Sequence, residues 1–271
     1  MKSNAQAPIG IFDSGLGGLT IARQVRHLLP AEDILYLADQ ANVPYGEKTP
    51  EEILKLTKIA IPTLIAEGAK IVVVACNSAS LTTIDLFRAR FADTPFVAVV
   101  PMVKDAAERT KTGTIAVFAT KATLGSPAYA ELKGGTHAKN MKVIDIPCPS
   151  WVTMVESGER APETVERPVR RALDAGADQL VLGCTHYPFL TELLRTAING
   201  KAELLEPGTA VAHQVKHILA HNDALRSAGK GNTSYLTSGD ASVPSEIASR
   251  LLGKPVAFRT VGHWDVTSVV S

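Results

Sequence analysis

Ile71-Val-Val-Val-Ala runs into Cys76-Asn-Ser, and Gln179-Leu-Val-Leu-Gly runs into Cys184-Thr-His. Each stretch is a short, nearly continuous apolar run ending at a thiol, the pattern of a strand buried on both faces. The two cysteines lie 108 positions apart. A second echo, Ile9-Gly-Ile-Phe-Asp-Ser against Thr114-Ile-Ala-Val-Phe-Ala-Thr, sets Phe12 and Phe118 106 apart. Two matches in the same order at nearly the same spacing predict two related units of about a hundred residues each.

The rest of the chain fits that reading. Strands are expected at 9–12, 34–38, 71–75, 96–99, 114–118, 142–146 and 179–182, alternating with helices at 19–29, 50–67, 78–90, 122–132, 161–175 and 188–197. Pro50 and Pro188 suit a first helical turn, and Gly68 and Gly176 suit helix ends. Such alternation predicts an α/β fold: two similar domains with largely parallel sheets, pseudo-symmetric, with the active site in the cleft between them. The tail adds strands at 234–238 and 255–259 and helices at 213–221 and 244–252, and is expected to complete the first sheet. The expected domains are therefore 1–98 plus 208–271, and 99–207. Gly134-Gly135 and 229–231 read as loops.

Composition narrows the partners. The 271 residues carry 28 basic and 27 acidic side chains, so no net field draws nucleic acid or an acidic membrane. Residues 1–8 lack the apolar core of a signal peptide, and no run reaches the roughly 18 apolar residues of a membrane span. A cytoplasmic location follows as the expectation. Three cysteines, an odd number, do not make a disulfide framework.

In open α/β sheets, ligands bind beyond the carboxyl ends of the strands. Cys76 and Cys184 both sit there, each before an expected helix whose free N–H groups should lower a thiol's pKa and bind a carboxylate. Two thiols across a cleft suit inversion of a stereocentre: one removes a proton from one face, the other returns a proton to the opposite face. A carbanion beside a carboxylate needs donors around it, and Asn77, Ser78 and Thr185 are placed to supply them. His186, two residues after Cys184, could bias its protonation. Asp13 and Ser14 open a glycine-rich turn, 15–18, that lacks the last glycine of a dinucleotide loop and the lysine of a phosphate loop. There a carboxylate would hold an ammonium or polarise a thiol. A free cysteine alone is most often a packing residue, and Cys148 is read that way. A zinc site built on Cys184 and His186 has no standard ligand spacing.

Four blocks, Gly10-Ile-Phe-Asp-Ser-Gly-Leu-Gly-Gly, Val43-Pro-Tyr-Gly, Ala75-Cys-Asn-Ser-Ala-Ser and Gly183-Cys-Thr-His-Tyr-Pro, resemble those of glutamate racemases and appear in that family's order. The resemblance implies the aspartate/glutamate racemase superfamily fold, catalysis without pyridoxal phosphate or any other cofactor, and D-glutamate supply for peptidoglycan. It implies that Cys76 takes the proton from D-glutamate and Cys184 from L-glutamate, with Asp13 beside the first thiol and His186 beside the second. Ser14 would touch substrate, Pro44, Tyr45 and Gly46 would close over its side-chain carboxylate, and Thr120 and Thr123 would contact it from the second domain. Glu156, in Val155-Glu-Ser-Gly, matches the family's glutamate near the second thiol. Ser78 stands where threonine is common, and Glu206-Pro207-Gly208 where Asp-Ser-Gly is common. A homodimer is implied as well, and some racemases of this family also bind DNA gyrase. The alternatives are a racemase of the same superfamily acting on aspartate or a hydantoin, and a binding module that keeps the fold without the chemistry. The presence of both cysteines argues against the latter.

Overall fold

The apolar runs form strands that alternate along the chain with helices. The computed structural model describes residues 4–159 and 161–262. Its strands are β1 (Ile9–Asp13), β2 (Ile34–Ala38), β3 (Ile71–Val74), β4 (Phe96–Ala98), β5 (Thr114–Ala119), β6 (Lys142–Pro147), β7 (Gln179–Gly183), β8 (Glu203–Leu205), β9 (Thr233–Thr237) and β10 (Phe258–Thr260). They make two sheets, ordered β10-β9-β2-β1-β3-β4 and β6-β5-β7-β8, with parallel pairing throughout. β1, β2, β3, β5 and β7 are buried at every residue.

The internal echo appears as register. Phe12 pairs with Val74 and Phe118 pairs with Leu182, so each cysteine lies two residues beyond its partner strand's matching position. The order β2-β1-β3-β4 repeats as β6-β5-β7-β8. The tail strand β9 pairs with β2 and carries β10 outside it. Side chains alternate faces, as the period of two requires. Ile9 and Ile11 join one core while Phe12 joins the other, and Ala116 and Phe118 are likewise separated from Ile115 and Val117.

Several helices start where local chemistry dictates. Pro50–Ala66 opens on a capping box, Thr49 with Glu52, and has proline in its first turn. Gly208–His221 opens where Glu206 accepts the Gly208 N–H at 3.1 Å, which gives the Glu-Pro-Gly sequence a local role. The helix expected at 122–132 is instead two, Lys121–Leu124 and Pro127–Gly134. Pro127 has no N–H for a continuous helix, and the Ser126 hydroxyl accepts from the Tyr129 N–H to start the second. The helix expected from Pro188 begins as a single tight turn, Tyr187–Leu190, before Thr191–Ile198. Val103–Arg109, Ser150–Ser157 and β8 are short elements that the apolar patterning did not disclose. Among the described residues no helix is long and apolar enough to cross a membrane. Residues 1–3 and 263–271, within the first expected domain, lie outside the described residues, as does Arg160 in the second.

Candidate active site

The carboxyl ends of β1, β3, β5 and β7 converge on one small cavity of about 20 Å³. Ser14, Pro44, Tyr45, Gly46, Cys76, Asn77, Ser78, Thr120, Thr123, Cys184, Thr185 and His186 line it, together with Val152 and Gly183, which sequence reasoning did not single out. Among the described residues no lysine or arginine lines it. A bound carboxylate would therefore be met by neutral donors and by His186. The Ser78 hydroxyl lies 3.0 Å from Thr120 Oγ1 and 3.2 Å from Thr123 Oγ1, a cluster of three hydroxyls drawn from both sides of the cleft. Asn77 is 3% exposed, yet neither atom of its side-chain amide has a hydrogen-bond partner. Buried amides are almost always satisfied, so this one keeps unused hydrogen-bonding capacity at the cavity wall.

Asp13 and Glu156 stand behind that lining and orient it. Asp13 is fully buried and accepts from the Gly15 N–H at 2.9 Å and the Thr185 hydroxyl at 2.9 Å. Glu156 Oε1 lies 2.7 Å from His186 Nε2 and accepts the Leu16 N–H at 3.0 Å, while Oε2 accepts from Gln40 Nε2 at 3.1 Å. Glu156 sits in the helix Ser150–Ser157, whose last carbonyls, those of Val155, Glu156 and Ser157, accept from the Arg250 guanidinium. Gln40 and Arg250 thus hold Glu156 from the first-sheet side. Gly17 is required here, because a Cβ on it would come within 2.4 Å of His186 Nδ1 and 2.6 Å of Thr185 Oγ1.

The charges are tuned by burial and by neighbours. Burial pushes the Asp13 carboxyl above its ordinary value, although His186, the Gly15 N–H and the Thr185 hydroxyl pull it back. Burial would lower His186, but its contacts with Cys184 (3.8 Å) and Glu156 outweigh this and hold the ring well above 6.5. Burial would raise Glu156, and the bond to His186 overcomes it to leave the carboxylate below its usual range. Cys76 corrects a sequence expectation. It stands at the N-cap of Asn77–Arg90, where the helix end should have lowered the thiol. Instead burial, reinforced by the Asp13 carboxylate, pushes it up to about 12. The Ala79 N–H and the Ser14 hydroxyl, 3.6 Å from the sulfur, pull the other way too weakly. Cys148 is buried in the second core, which agrees with its packing role.

Two matched parallel sheets bring two thiols to one cavity, and that fold is the fold of an amino-acid racemase. The sequence model described as Asp/Glu/Hydantoin racemase matches residues 19–215, and the chain belongs to that family. It is similar to the glutamate racemase of Ectopseudomonas mendocina (strain ymp), 40% identical over 256 residues covering 93% of this chain and 97% of the relative. It also resembles that of Roseiflexus sp. (strain RS-1), 42% identical over 257 residues covering 93% and 94%. Among solved structures, glutamate racemase isoform RacE1 from Bacillus anthracis superposes with a TM-score of 0.85 at 30% identity, over 95% of this chain and 98% of that one. The Francisella tularensis glutamate racemase in complex with D-glutamate gives 0.82 at 27% identity, over 97% and 99%.

Proposed function

We propose that the protein is a glutamate racemase that interconverts L- and D-glutamate with Cys76 and Cys184 as the two bases. The observation that carries the reading is the pair of thiols at equivalent register, lining one cavity beside an unsatisfied Asn77 amide. D-glutamate loses its α-proton to the Cys76 thiolate as the Cα–H bond breaks and an S–H bond forms. The Cys184 thiol then delivers a proton to the opposite face, leaving Cys184 as thiolate and the product as L-glutamate. Exchange of protons with solvent resets the pair, and the reverse direction swaps the roles. Asn77, Ser78 and Thr185 donate to the α-carboxylate, where negative charge builds as the carbanion forms. Ser14 meets the ammonium at the cavity wall, and the Asp13 carboxylate behind it balances that charge. A thiol pushed up to about 12 is almost wholly protonated near neutral pH; a positive charge arriving near Asp13 favours its thiolate, so binding of the substrate itself prepares Cys76.

Pro44, Tyr45, Gly46, Thr120 and Thr123 hold the side-chain carboxylate. His186 and Glu156 set the protonation of Cys184. The reaction as written balances with two protons and two sulfurs and calls on no cofactor. Resemblance to the family supports a homodimer that supplies D-glutamate to peptidoglycan, and the sequence pattern supports a cytoplasmic location with domains at 1–98 plus 208–271 and at 99–207. The test is purified protein with L-glutamate in deuterated water, without added cofactor, followed by optical rotation and the α-proton NMR signal. Loss of rotation with deuterium entering the α-position is the expected result. No change with glutamate, followed by turnover of aspartate, would move the assignment to another racemase of the superfamily.

A further inference from the structure

Asp39 takes no part in the chemistry above, yet it is a fully buried carboxylate next to the cavity. It follows β2, and its side chain gathers three donors from two separate segments. Oδ1 accepts from Asn42 Nδ2 at 2.9 Å and from the Ser238 hydroxyl, and Oδ2 accepts from the Tyr45 hydroxyl at 2.5 Å. Ser238 is tied in twice more, since its Oγ accepts the Ala41 N–H at 3.1 Å and its own N–H donates to Ala38 O. The Asp39 N–H donates to the Asp13 carbonyl at 3.0 Å. Hence this one residue joins the ends of β1, β2 and β9 to the loop 40–47. Burial raises the cost of its charge, and Lys48 contributes least among the groups that offset it. Such an acid is retained for the geometry it imposes rather than for the strength of an ion pair.

The loop it holds is the one that lines the cavity at Pro44, Tyr45 and Gly46. Tyr45 is 1% exposed, its ring centroid lies 6.2 Å from that of Phe12, and its only O–H is committed to Asp39. The Tyr45 hydroxyl proton therefore holds the loop and is not free for a ligand. Gly46 sits so close to the other side of the cleft that a Cβ would come within 2.5 Å of Thr120 Cγ2. With so little clearance, a small shift of the loop alters the cavity directly.

We propose that Asp39 is a positioning residue that clamps the loop 43–46 against Thr120, and so sets how tightly the substrate's side-chain end is held. This rests on the racemase reading, and the measurements separate the two. Hydrogen exchange of the amides at 43–48 is compared between wild type and Asp39→Asn. Asparagine replaces one acceptor oxygen with a donor that faces donors, so exchange is expected to quicken there while Tm falls by no more than a few degrees. Unchanged protection overturns the clamp whether or not the protein racemises glutamate. Kinetics then give the split: KM for both enantiomers rises about tenfold in Asp39→Asn and in Tyr45→Phe, with kcat within about threefold. The double variant should be no worse than the singles, because both break one bond. Multiplying effects, or an unmoved KM in an active enzyme, would overturn the proposal, whereas an inactive wild type would count against the racemase reading alone. Should Asp39→Asn fail to fold, Ser238→Ala removes one donor of the same clamp and is expected to show the same exchange change in smaller measure.

Discussion

Cys76 and Cys184 occupy the same register of two matching sheets, but the groups beside them differ in charge. Cys76 has a buried carboxylate for a neighbour and a thiol pushed up to about 12. Cys184 lies 3.8 Å from a histidine ring whose pKa is held well above 6.5 by its contacts, and that ring is in turn paired with Glu156. Repetition of the backbone places two sulfurs on one cavity, while divergence of the side chains gives each its own means of protonation control. On the proposed mechanism the first thiol depends on a charge the substrate carries, and the second on a charge the protein carries. Symmetric position with asymmetric tuning is what a catalyst needs when its two substrates are mirror images bound in a chiral site.

The largest effect expected is loss of either sulfur. Cys76→Ala and Cys184→Ala should each lower racemisation at least about a thousandfold, within the range for removing a positioned base, while glutamate binding persists. Turnover near the wild-type rate in both directions would break the comparison at its root. His186→Asn sharpens it. The two enantiomers have equal free energy in water, so kcat/KM must be the same in both directions and cannot report the asymmetry. The primary isotope effect can. With α-deuterated L-glutamate, whose deuteron the proposed mechanism sends to Cys184, the effect should grow in His186→Asn, alongside a fall in kcat of about ten- to a hundredfold. With α-deuterated D-glutamate it should stay near the wild-type value. Equal changes for both enantiomers would detach His186 from Cys184.

How far this asymmetry was legible in the sequence depends on how local its causes are. The strands and both cysteines could be read because a buried parallel strand needs a continuous apolar run, and here the run ends at the thiol. His186 could be read because it is two residues from Cys184. The direction of the Cys76 shift was misread: the helix end is local, but burial and Asp13 are brought to the sulfur by the fold. Gln40 and Arg250, which steady Glu156, and Ser238, which reaches Asp39, act across 116, 94 and 199 positions, with no local pattern to mark them. The split at Pro127 has a local cause: the apolar pattern runs on through 122–132, but the proline lacks the N–H that a continuous helix needs.

The smallest effect expected lies in stability. A histidine whose folded pKa exceeds its unfolded value binds its proton more tightly in the native state, so its contribution is complete below about pH 6.5 and is lost as pH rises through the folded value. Glu156, lowered in the native state, contributes above about pH 4.5 and loses that contribution as pH falls through its folded value. Both are in place between those limits. The difference in Tm between wild type and His186→Asn should therefore be widest between about pH 4.5 and 6.5, on the order of a few degrees. It should narrow steadily as pH is raised above that window. A gap that widened with rising pH would mean that the ring is buried neutral, and the contrast between a substrate-charged thiol and a protein-charged one would lose its second half.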